Sequence, residues 1–174
     1  MALANPLLAG GLVIAVVLPS VWAGVSLGSG DGPGVDRSVV NEQGLTGALH
    51  TVEQTRTAER IGDAASWCHL VQPGDGTCET TMTSAFAEKS PAYRDRVDEV
   101  ELGKPEETDK GAQVMLRWKG RNQGTVRLVR SGGRWQVDSS DYGLLKLCHV
   151  GIFLSLVDAR SQELKCGMFS IPTT

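Results

Sequence analysis

The sequence predicts an α+β protein in which an N-terminal membrane or signal helix precedes helices packed on a curved antiparallel sheet. Two changes of pattern predict it. Apolar residues recur at helical spacing from Leu45 to Phe86, and after Pro91 the apolar period drops to two. Helices and strands therefore occupy separate halves of the domain, as in α+β folds. A third observation, the uncharged stretch from Leu7 to Leu27, sets the leader apart.

The leader reads LLAGGLVIAVVLPSVWAGVSL. About 20 apolar residues are enough for a helix to cross a bilayer. Residues 1–27 are read either as a signal peptide, cut after Ala23 where Val21-Trp22-Ala23 supplies small residues, or as a retained transmembrane anchor. No basic residue precedes Arg37, so loop charge says little about orientation. The first cysteine is Cys68, and no lipid-modified cysteine anchor is expected. Residues 28–43, rich in glycine and polar side chains, read as a flexible linker.

In the helical half, Leu45, Leu49 and Val52 mark one face of a first helix. Gly62 is a helix stop and Asp63 an N-cap for a second helix carrying Ala64, Trp67, Cys68 and Val71. Pro73-Gly74-Asp75-Gly76 is a turn, and a third helix follows with Cys78, Met82, Ala85 and Phe86 on one side. In the strand half, Val100 and Leu102 alternate with acidic residues. Val114, Leu116 and Trp118 alternate with Gln113, Arg117 and Lys119. Gly120 to Gly124 is read as a turn, Val126 and Leu128 as the inward face of the next strand, and Ser131-Gly132-Gly133-Arg134 as a tight turn before Trp135 and Val137. Trp67, Trp118 and Trp135 are read as core.

Four cysteines, Cys68, Cys78, Cys148 and Cys166, form a disulfide framework if the domain is exported. Local pairing, Cys68 with Cys78 and Cys148 with Cys166, is the simplest of three arrangements. His69 and His149 adjoin two of the cysteines, but no two cysteines have zinc-site spacing, so no metal or cofactor is expected. The net charge of −3, from 17 basic and 20 acidic residues, argues against a nucleic-acid partner. The arginine-rich stretch Arg117 to Arg134 reads as a solvated strand edge.

The Gly62-Asp63 break, the Ala64-Ala65-x-x-Cys68 helix, Cys78 opening the next helix and the Gly132-Gly133-Arg134-Trp135-Gln136-Val137-Asp138 strand–turn–strand piece have a common resemblance. Together they resemble the nuclear transport factor two-like superfamily of cystatin-like α+β rolls, in the form found in small actinobacterial envelope proteins. The resemblance covers residues 44–142 and implies a curved sheet wrapped around helices. It also implies that membrane-linked members serve as accessory subunits of envelope machines. Enzymes of that superfamily work in the cone between sheet and helices with Asp–His or Tyr–Asp arrangements. Asp138, Asp141, Tyr142 and the histidines offer such groups without a spacing that brings them together.

Residues 143–174 lie beyond the end expected for that fold, and Leu144 to Val157 is strongly apolar. A hairpin of Ile152–Val157 with Leu164–Ile171 and a helix are both open, because a short apolar run does not separate them. The extension is read as extra core or, at Phe153, Leu154 and Leu156, as a protein interface. The expected function is a non-enzymatic extracytoplasmic module, membrane-anchored or secreted, with a protein partner in the cell envelope. The alternative is a small-molecule or lipid binder, or an enzyme, using the cone pocket.

Overall fold

The computed structural model describes residues 34–138 and 151–161, with 165–166 and 169–170. The chain divides into two units, Met1–Gly32 and Pro33–Thr174. The expected leader helix and the start of the expected linker, 28–33, lie outside the described residues, as do Cys148, His149, Asp141 and Tyr142.

The second unit is α+β. A single 3-10 turn, Arg37–Asn41, leads into α1 (Gly44–Ile61), α2 (Ala64–Val71), α3 (Cys78–Ala87) and the one-turn α4 (Pro91–Arg94). A 3-10 segment, Asp95–Glu99, then feeds β1 (Val100–Thr108), β2 (Gly111–Trp118), β3 (Arg121–Ser131) and β4 (Arg134–Val137). The strands form an antiparallel meander in the order β1-β2-β3-β4. After it come α5 (Ile152–Ser161) and a small ladder of β5 (Lys165–Cys166) with β6 (Phe169–Ser170).

The helix boundaries follow from local chemistry. Gly62 ends α1 in the left-handed region at φ 78°, donating its N–H to Ala58 O. Asp63 opens α2, its carboxylate accepting from Ser66 N. Ser90 does the same for α4, with Pro91 at the first helical position. The Cys68–Cys78 disulfide (Cα–Cα 5.9 Å) ties α2 to the start of α3 across the intervening turn.

The core lies between the helices and one face of the sheet. Ala112, Val114, Leu116 and Trp118 of β2, Val126 and Leu128 of β3, and Trp135 and Val137 of β4 are buried at alternate positions. They join one cluster with Val52, Trp67, Leu70, Val71, Met82 and Phe86 of the helices. Burial of Trp67, Trp118 and Trp135 confirms them as core.

Three expectations need correction. First, the expected linker is too long. Val39 and Val40 are buried in the core, so at least residues 37–43 belong to the domain. Two adjacent valines supply apolar area that the polar average of that stretch concealed. Second, the fully buried face of α1 lies beside Leu45 and Leu49, which pack against the core but are only half-buried. It comprises Ala48, Thr51, Val52, Thr55, Ala58 and Glu59. The two threonine hydroxyls donate to Gly47 O and Thr51 O, one helical turn back, which lets them sit in an apolar setting. Third, the β2–β3 turn is the pair Lys119–Gly120, both with positive φ, and Arg121 to Gly124 already belong to β3. Of the two arrangements open for Ile152 to Val157, the structure shows the helix.

Candidate functional site

The most heavily built polar cluster of the described residues joins α1 to α5. Glu59 stands on the buried face of α1 and is fully buried. Its Oε1 accepts from the Trp67 indole Nε1 at 2.9 Å and from Ile152 N at 2.5 Å. Its Oε2 accepts from Phe153 N at 2.9 Å and Leu154 N at 2.8 Å. The last three donors are the first-turn N–H groups of α5, which no intrahelical carbonyl can satisfy. Glu59 is thus a cap supplied from more than 90 residues away in sequence. Burial pushes its carboxyl up to about 7, against the N–H groups of Leu154, Trp67, Ile152 and Phe153, which favour the ionised form. Gly151 packs directly on this carboxylate, and a Cβ there would collide with it.

A second cluster fixes the other end of the same helix. Asp158 is buried and accepts from Lys89 Nζ at 3.0 and 3.1 Å and from Tyr93 Oη at 2.5 Å. Lys89 Nζ also sits 4.8 Å from the centre of the Tyr93 ring. Lysine, tyrosine and aspartate are groups that can move protons, but here they bind one another across the α5 seam.

The predicted residues fall as follows. Cys68 and Cys78 stand as expected. Cys166 is in β5, and its predicted partner Cys148 lies outside the described residues. Phe153 and Leu154 are buried against the domain, so they offer no interface surface; their side chains complete the core. Leu156 is half-buried. His50 meets Glu42 at 2.7 Å. His69 Nε2 faces Arg134 Nη2 at 2.8 Å and must be the acceptor, since guanidinium only donates. Burial, then the charges of Arg134 and Arg37, hold His69 below its ordinary range. Asp138 donates its backbone N–H to Arg127 O. The structure does not gather these groups into one pocket.

Sequence reasoning missed Glu59, Asp158 and Arg130. For Glu59 the signal was present: it follows Thr51 and Thr55 at four-residue steps along one helix face. For Arg130 the signal was the strand period, since it continues the inward positions Val126 and Leu128. Arg117, Lys119, Arg121 and Arg127 are exposed as expected, but Arg130 and Arg134 are half-buried and engaged. Arg130 pairs opposite Trp135, with its guanidinium 5.2 Å from the indole centre. Both line a surface cleft of about 310 Å³ at the start of α1.

No protein-family model, curated protein or solved structure matches this chain.

Proposed function

We propose that the chain is a non-enzymatic extracytoplasmic binding module, anchored to or secreted across the cell membrane by its leader, that serves as an accessory subunit of an envelope protein complex. The observation that carries the compartment is the Cys68–Cys78 pair at disulfide distance. Such bonds persist in oxidising compartments and are rare in the cytosol. An uncharged leader of 21 residues supports the same reading.

The class of activity rests on how the ionisable groups are used. Glu59 caps α5, Asp158 holds Lys89 and Tyr93, and His69 accepts from Arg134. Each is committed to holding one element on another, which suits a rigid scaffold that presents a surface. The cystatin-like roll suggested by the sequence remains part of this proposal. Register shifts between Leu102 and Pro105 and between Leu116 and Arg117 support it, since bulges of this kind bend strands.

The test is crosslinking of the full chain in native membranes, followed by affinity purification and mass spectrometry. A stoichiometric envelope protein that co-purifies reproducibly supports the proposal. Recovery of the chain alone, at the size of a monomer, overturns it.

A further inference from the structure

The cleft beside α1 carries polar groups whose bonding capacity is not used by the fold. Trp135 lines it and is only 6% exposed, yet its indole Nε1 has no hydrogen-bond acceptor among the described residues. Buried polar groups are almost always paired, so such an atom asks for an explanation. Arg130, on the same wall, spends two of its five N–H donors, on Glu42 O at 3.1 Å and Gly133 O at 2.5 Å. No carboxylate pairs with it among the described residues.

The third component is the start of α1. Gln43 and Gly44 line the cleft, Gln43 makes no side-chain cap bond, and the first turn of this 18-residue helix holds no acidic residue. A long helix presents partial positive charge and free N–H groups there. Glu107, an exposed carboxylate in no ion pair among the described residues, also lines the cleft. Leu45 and the Trp135 ring supply apolar wall.

We propose that this cleft binds a small zwitterion with an apolar body, the chemistry of a free hydrophobic amino acid. The carboxylate meets Arg130 and the α1 terminus and brings an acceptor to the neighbourhood of the Trp135 N–H. The ammonium meets Glu107, and the side chain packs on Leu45 and the indole. This inference is independent of the compartment and of any protein partner.

The experiment is an NMR titration of the ¹⁵N-labelled full chain in detergent, following the Trp135 indole N–H signal, assigned with Trp135→Phe. The probes are L-phenylalanine, N-acetyl-L-phenylalanine, which lacks the ammonium, and L-phenylalaninamide, which lacks the carboxylate. L-Phenylalanine is expected to shift the signal saturably. The amide is expected to bind about tenfold more weakly or worse, the loss of a charge-assisted hydrogen bond. Arg130→Gln should weaken L-phenylalanine to the same degree, its fold checked by an unmoved Trp67 indole signal. Glu107→Gln, at an exposed position, should reduce L-phenylalanine to the affinity of the N-acetyl compound. No shift with L-phenylalanine, equal affinity for all three probes, or N-acetyl-L-phenylalanine binding as tightly as L-phenylalanine would each overturn the proposal.

Discussion

Glu59 shows how one side chain can carry the attachment of a whole element. Its four accepted N–H bonds come from α2 and from the first turn of α5. Its titration has a definite sign. Burial raises its carboxyl to about 7 from an ordinary 4.5, so the folded chain holds this proton more tightly than the unfolded chain. The resulting stability is fully present below the unfolded value and is lost as pH rises through about 7. At about 1.4 kcal/mol per pH unit, the whole effect is on the order of 3 kcal/mol. Denaturant midpoints should therefore fall between about pH 5 and about pH 8, and Glu59→Gln should flatten that window. A slope that survives the substitution would assign the effect elsewhere. The variant also has a fixed cost, because an amide turns an N–H₂ toward donors; each N–H left unpaired costs about 1–3 kcal/mol. Asp158→Asn tests the second anchor. It leaves Lys89, whose side chain is 19% exposed, without its counter-charge. The expected loss is about 3 kcal/mol, the low end for a buried pair, read from chemical denaturation. Neither acid was legible as an anchor from sequence. The four-residue step from Thr51 and Thr55 places Glu59 on the buried helix face, but the partners of both acids are fixed only by tertiary packing.

At the scale of elements, what was legible followed local rules. Gly62 and Asp63 stop and start helices by backbone geometry and capping, which depend on a few adjacent residues. The Gly132–Gly133 turn, with both φ positive, likewise follows from the need for left-handed residues in a two-residue hairpin. The strand alternation of β2 is visible because one face is buried and the other is not. What escaped depended on distant contacts. The buried face of α1 includes threonines that no hydrophobic period reports. The strand-or-helix choice for Ile152 to Val157 was decided by a cap on another helix. Two substitutions test these elements. Gly151→Ala drives a Cβ into the Glu59 carboxylate. It should release α5, seen as faster amide exchange at Phe153 and Leu154, with the sheet amides of Val114 and Leu128 unchanged. Protection left intact at Phe153 would show that the close contact relaxes without cost. Cys68→Ala opens a loop with ends 10 residues apart. The chain-entropy model puts the loss at about 3 kcal/mol. A Cys68→Ala/Cys78→Ala double variant should lose no more than the single one by more than the packing of one small side chain.

At the scale of the whole molecule, a stapled α+β domain follows in sequence the uncharged stretch Leu7 to Leu27, the proposed export signal or anchor. The internal clusters spend their charges on holding α5 and the helical layer together, which leaves the exterior to make contacts. The domain is larger than the sequence boundaries suggested at its start, because Val39 and Val40 enter the core before α1. A reporter should therefore follow Thr174 rather than interrupt the chain near residue 43. The proposed place of work of this domain is outside the cytoplasm. An alkaline phosphatase fused after Thr174, which is active only when exported, tests it most directly when read together with thiol alkylation at Cys68 and Cys78. The fusion should be active, with both thiols protected from alkylation until a reductant is added. A stably made but inactive fusion, with Cys68 and Cys78 freely alkylated in unreduced cells, would contradict it.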